Sequence, residues 1–278
     1  MRVDARAVMP RVFEEGPYKL KMGLSRLDPA DWLWVSEHYE AEIAHKRRML
    51  ADGADIVRRL PEGEAAVAET AELVAAYLAA HHPELAPADE ADPLRRTGLS
   101  VQEDFCWLTE SSLGHRLVAA FVAFPARWRL ADKIGRPLGA IHGPVPGYAR
   151  RLADPTERMF TNLDPARPLQ RANWSLVDDP DLHQPAAKAE RPRTALTPAE
   201  VGARLHLRVE RQTLRRLPAT GVVLFTIHTV VRPLAEVAAE PGAAAALRAR
   251  LGEMPAAMLA YKNLATAREA IDSYLAER

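Results

Sequence analysis

The 278-residue chain balances 37 Lys and Arg against 37 Asp and Glu, and 48% of its residues are hydrophobic. That apolar share suffices for a substantial core, and the neutral, scattered charge argues against nucleic acid as the main partner. A single cysteine, Cys106, excludes an internal disulfide and any iron–sulfur or zinc-thiolate site built by this chain alone, and no apolar run reaches the length of a membrane span. The opening residues, MRVDARAVMP, lack the order of a secretory signal, so a cytoplasmic location is expected.

Residues 1–27 contain Pro10, Gly16, Pro17 and Gly23 without a sustained period and read as an extended arm. Asp28 and Pro29 offer a helix start, and Trp32, Val35, Tyr39, Ile43 and Met49 follow at near-helical spacing, which predicts a helix over 28–51. An alanine-rich helix is expected over 62–80, then a loop holding Pro87, Pro93 and Gly98. Residues 103–109 and 115–124 read as strands, 128–134 as a helical turn closed by Gly135, and 136–147 as an irregular loop stiffened by proline and glycine. A helix over 148–161, a strand near 172–177 and a polar loop to Arg193 follow, then a helix opened by Thr197-Pro198-Ala199-Glu200.

Residues 205–216 alternate Leu205, Leu207, Val209, Arg211 and Thr213 with His206, Arg208, Glu210 and Gln212. Paired through the turn 218–221 with the β-branched run 222–232, they place Arg211 opposite His228 and Val209 opposite Val230. Beyond Leu234 the chain reads as helical, broken at Gly242, Gly252 and Pro255. Strands separated by helices and closed by a long hairpin indicate an α+β fold around an antiparallel sheet, with flanking N- and C-terminal helices. No glycine-rich turn points to a dinucleotide or P-loop fold.

His142, in the stiff loop Ala-Ile-His-Gly-Pro-Val-Pro, is read either as an axial metal or haem ligand or as a turn-capping histidine, the commoner role. His228, in mid-strand, needs a partner, and Arg211 or Glu210 serves either as that partner or as a co-liner of a pocket. Arg208, Glu210 and Arg211 read equally as an ion-pair network. Glu103 and Asp104, and Asn173 with Trp174, are polar groups beside aromatics that suit a cationic amine, or simple strand-end caps. Cys106 lacks the loop of a thiolate haem ligand. His38, Glu42 and His45 share a helical face whose simpler reading is solvation, and His81-His82 is a weak metal signal.

Four stretches carry a family resemblance: Gln102-Glu-Asp-Phe-Cys-Trp-Leu, Phe124-Pro-Ala-Arg-Trp with Lys133 to Pro146, Arg171-Ala-Asn-Trp174, and above all the hairpin from Leu207 to Leu234. Through them the chain resembles the haem-binding subunit of the haem-dependent oxidative N-demethylases, also called dimethylamine monooxygenases. The resemblance implies a PAS-like haem domain over 28–234, preceded by the arm 1–27 and followed by a helical extension over 235–278. It implies haem b, with His142 as the iron ligand, Arg208 and Arg211 toward the propionates, and Arg211, His228, Glu210 and Trp174 around the reacting groups. It further implies dioxygen, a small secondary amine such as dimethylamine, and release of a primary amine and formaldehyde. Electrons would come from a partner NAD(P)H reductase that carries FMN and a [2Fe–2S] cluster, which suits a chain with one cysteine. The alternative is a PAS-like haem or small-molecule sensor without turnover.

Overall fold

The computed structural model describes residues 20–187 and 195–278. Most of the proposed arm, and part of the loop before Arg193, lies outside them; within the described part Ser25–Arg26 forms strand β1. The other strands are β2 (Val57–Arg59), β3 (Asp104–Thr109), β4 (Arg116–Phe121), β5 (Leu169–Val177), β6 (His206–Arg216) and β7 (Val223–Pro233). They form one antiparallel sheet in the order β1-β5-β6-β7-β3-β4-β2. Counting only the five longer strands in chain order, that is 3-4-5-1-2, with the first long strand inserted beside the last, as a PAS-like sheet requires. The α+β expectation is met, and Arg211 pairs with His228 and Val209 with Val230 as the alternation demands.

Alternation gives the sheet two different faces. On one face Phe105, Trp107 and Leu224 pack against helices α1 (Tyr39–Ala51), α2 (Glu64–His81) and α3 (Pro93–Ser100). Further along the same face, Leu207 and Val209 share a cluster with α7 (Pro198–Arg204), α8 (Leu234–Ala238), α9 (Ala243–Glu253), α10 (Ala256–Tyr261) and α11 (Arg268–Ala276). The opposite face carries Cys106, Leu108, Leu117 and Leu214. It is covered by Leu138, Phe160 and Leu163, from and around α4 (Leu138–Ile141), α5 (Tyr148–Arg151) and α6 (Ala153–Thr161).

Three local expectations are corrected. The helix expected over 28–51 begins only at Tyr39; Asp28 caps a short 3-10 turn, and residues 32–38 are not helical. Their backbone is satisfied from outside instead, since the Trp34 N–H donates to Glu103 (2.8 Å) and the Ser36 N–H to Gln102 (2.7 Å). The loop with Pro93 and Gly98 contains α3, for which Asp92 supplies the cap and Pro93 the first turn. Gly98 is needed there because a Cβ would lie 2.2 Å from the Phe121 ring. The irregular loop 136–147 holds the single helical turn α4.

Candidate functional site

A cavity of about 1140 Å³ opens between the second sheet face, α4 to α6 and the C-terminal segment. Its floor is apolar where β3, β4 and the far end of the hairpin contribute, through Cys106, Leu108, Leu117, Leu214, Phe225 and Ile227. It turns polar where β5 and β6 cross it, because Arg171 and Asn173 pair with Gln212 and Glu210 and point to the same side. An apolar chamber with a few convergent polar groups, slightly larger than a drug-sized site, suits a large, mostly apolar ligand with a charged edge.

His142 lines this cavity at the end of α4. Its Nδ1 donates to the Leu138 carbonyl (3.1 Å), and its ring stacks on Tyr148 with centroids 4.8 Å apart. The stiff loop thus fixes both tautomer and ring plane, leaving the Nε2 lone pair without a protein partner among the described residues. Burial lowers the imidazole pKa, outweighing the Leu138 hydrogen bond that raises it, and the charges of Arg171 and Lys133 add to the lowering, which favours the neutral form that can ligate a metal.

Arg171 was not among the residues singled out for a role. It lines the cavity, and no hydrogen bond ties its guanidinium to any described residue; its buried Nε is orphaned. Burial lowers its pKa and only Glu210 counteracts that. A half-buried guanidinium without a partner is costly, and an anionic group in the cavity would satisfy it. Arg208 also lines the cavity, but its two Nη atoms are engaged by the carbonyls of Leu182 (3.1 Å) and Phe124 (2.6 Å), and Nε lies 3.9 Å from Glu210. It fastens two loops to the hairpin and offers little to a ligand. Glu210 lines the cavity and accepts from Asn173 (3.3 Å) and Gln212 (2.9 Å). Trp174 is at the rim, with Lys262 above its ring and bonded to its carbonyl (2.6 Å).

The structure therefore brings His142, Arg171, Arg208, Glu210 and Trp174 to one cavity. Arg211 and His228, expected there too, lie on the other face of the hairpin and do not line it. Arg211 donates to the carbonyls of Trp32 (3.0 Å) and Asp31 and stacks on Trp34, while His228 Nδ1 meets Glu103 Oε1 at 3.2 Å. Their mutual pairing was legible; what covers their face was not, because the covering residues 31–34 come from a distant part of the chain. Glu103 and Asp104 are likewise fully buried away from Trp174, as a core network with Lys46. Cys106 lines the apolar floor, and burial pushes its thiol well above the usual range, which disfavours a thiolate ligand. Among the described residues no three His, Cys, Asp or Glu side chains cluster as a metal site, and no helix is long and apolar enough to cross a membrane. The cavity instead offers one oriented histidine, which is what an axial haem ligand requires. A family model described as haem-dependent oxidative N-demethylase, alpha subunit-like, matches residues 23–86 and 84–272.

Proposed function

The chain belongs to the family of proteins like the alpha subunit of haem-dependent oxidative N-demethylase, and from that premise we propose that it is the haem-b-carrying subunit of an amine-demethylating monooxygenase. The observation that carries the reading is the large, half-apolar cavity that holds a tautomer-fixed His142 together with Arg171, whose guanidinium has no hydrogen bond to any described residue. His142 Nε2 would hold the iron and Arg171 would meet a propionate, while Arg208, whose Nη atoms are taken by the carbonyls of Leu182 and Phe124, would only fasten the hairpin behind it. Arg171 thus takes the place that the resemblance gave to Arg211.

The reaction proposed is that of a small secondary amine, dimethylamine-like, which with dioxygen, two electrons and two protons yields a primary amine, formaldehyde and water. Haem, when bound, supplies the activation of dioxygen. Glu210, steadied by Asn173 and Gln212, offers a carboxylate to the protonated amine, and Trp174 walls the rim. The apolar floor excludes water from the reacting end. One cysteine in the chain leaves the electron supply to a partner, for which an NAD(P)H reductase with FMN and a [2Fe–2S] cluster is proposed.

The test is a titration of the haem-loaded full chain with dimethylamine, followed by turnover with a flavin/iron–sulfur reductase and NADH. The expected result is a saturable Soret shift and formaldehyde released in proportion to NADH consumed. Glu210→Gln should raise the half-saturating amine about tenfold, the cost of roughly one charge-assisted hydrogen bond, without loss of haem. Absence of any spectral response to amine, with haem stoichiometrically bound, would overturn the substrate assignment and leave the sensor reading.

A further inference from the structure

Strand β7 runs to Pro233, but its neighbour β3 accompanies it only as far as the pair Asp104 and Ile227. Beyond that pair one edge of β7 has no strand beside it, because residues 101–103 lie outside β3. Two bonds that bracket the hairpin, from the Leu217 N–H to the Val222 carbonyl (2.9 Å) and from the Leu234 N–H to the Leu205 carbonyl (2.8 Å), fix which backbone groups face β6. Even-numbered residues from Val222 to Leu234 point at β6, so the N–H and C=O of Thr229 and Val231 point at the open edge. Among the described residues neither finds a hydrogen-bond partner there. Thr229 is only 5% exposed, and its Oγ1 is buried without a partner as well. Buried polar groups left unpaired are costly, so this edge is stabilised by whatever meets it.

A cleft of about 900 Å³ follows that edge, between the start of α1 and the loop of Pro180 and Leu182. All six residues from His228 to Pro233 line it, although their side chains alternate between the two sheet faces. A cleft touched by both sets runs along the strand's edge rather than over one face. Thr229 and Val231 lie roughly 7 Å apart, two residues of extended chain. A small ligand would satisfy one of them, whereas the backbone of a second extended segment carries N–H and C=O at the same repeat and satisfies both. Recessed between α1 and the loop, the edge is shielded from the flat pairing of two whole sheets, which favours a single segment over a second copy of this chain. We propose that this cleft takes an extended segment of a partner polypeptide, added antiparallel to β7 in line with β3. Its side chains alternate between Trp34, edge-on to His228 with ring centroids 5.7 Å apart, and Leu182, whose carbonyl is held by Arg208 opposite Val231. Both neighbours are apolar, which selects uncharged, β-branched residues in the segment.

The cleft shares no lining residue with the large cavity, so it is tested on the haem-free full chain. The probe is an acetylated and amidated peptide, Lys-Thr-Val-Thr-Val-Thr-Lys, titrated by calorimetry beside two forms methylated on backbone nitrogen, one at its threonines and one at its valines. The parent peptide should bind saturably. One methylated form should bind at least tenfold more weakly, because its methyl groups replace the N–H groups that face β7, and the other within about twofold of the parent, because its methyl groups face outward. Val231→Pro removes an edge N–H without breaking a bond to β6, so it should fold and weaken the parent peptide at least tenfold. If that variant fails to fold, the methylated pair on the wild-type chain still decides. No saturable binding, equal binding of the two methylated forms, or unchanged affinity in a folded Val231→Pro would overturn the proposal. Self-association of the free chain that Val231→Pro abolishes would assign the edge to a second copy and overturn it too. Haem uptake by the same preparations reads the other cavity, so the two readings fail separately.

Discussion

A half-buried guanidinium that lines a cavity without a hydrogen bond to any described residue is unusual, because buried arginine is almost always paired. Arg171 was hidden in the sequence by its setting: in β5 it alternates with Asn173 and Ser175 and looks like the polar side of an ordinary strand. The signal that could have found it is the register, which sets it against Gln212, two residues from Glu210 and on the same side of the sheet. Arg171→Gln should weaken haem affinity at least tenfold while leaving the thermal midpoint unchanged or higher, since an unsatisfied charge is removed; Soret titration and a melting curve check the two halves. His142 was legible because its loop is dense in proline and glycine, although the Leu138 carbonyl that fixes its tautomer was not. Elsewhere, fully buried Lys46 donates to the carbonyls of Gly98, Val101 and Glu103 and lies 3.8 Å from Asp104. Burial pushes the Asp104 carboxyl up from 3.8 to about 6. Its folded form therefore holds the proton more tightly than the unfolded chain does, so this group favours folding most below about pH 4, an advantage lost as pH rises through about 6. Asp104→Asn should flatten that part of the stability profile, measured by denaturant unfolding between pH 4 and 7. Lys46→Met, which leaves Asp104 buried without its cation, should cost about 3–5 kcal/mol at pH 7 in the same measurement.

Elements with strong alternation or a full capping box were read correctly, whereas the segment 32–38, set by distant contacts, and α3, whose Asp92-Pro93 start is a local signal, were not. The hairpin β6–β7 and the capping box at Thr197 and Glu200 appear where alternation and capping chemistry put them. The segment 32–38 has helical spacing but is drawn into an irregular path by Gln102 and Glu103, whose side chains supply acceptors that a helix would otherwise provide. In α3 proline and glycine suggested a loop, whereas Pro93 occupies the first helical turn and Gly98 admits Phe121. Gly98→Ala tests that packing directly. The added methyl would meet the ring at 2.2 Å, so the substitution should destabilise by about 1–3 kcal/mol although alanine favours helix. A gain in stability would mean that α2, α3 and β4 separate more easily than their packing suggests.

For the molecule as a whole, the α+β class and the antiparallel sheet were visible in the alternation of strands and helices, while the two-sided use of the sheet was not. Period-two alternation says which side chains share a face and is silent about which elements cover it. The helical stretch after Leu234 shows the same limit. It reads as an extension, yet Leu247, Leu251, Ile271 and Tyr274 share one apolar cluster with Leu207 and Val209, and Met258, Tyr261 and Lys262 help to close the large cavity. A chain ending at residue 234 would expose that side of the sheet and should be recovered aggregated or without cooperative unfolding, as judged by size exclusion and circular dichroism.

The central claim is that His142 holds haem in the large cavity, and the most direct measurement is a haem titration of the full chain beside His142→Gly, followed by addition of free imidazole. The wild-type chain should bind one haem with a sharp Soret band, His142→Gly should lose that band, and imidazole should restore it. A wild-type chain that takes up no haem, or a His142→Gly chain whose affinity and spectrum match the wild type, would contradict it.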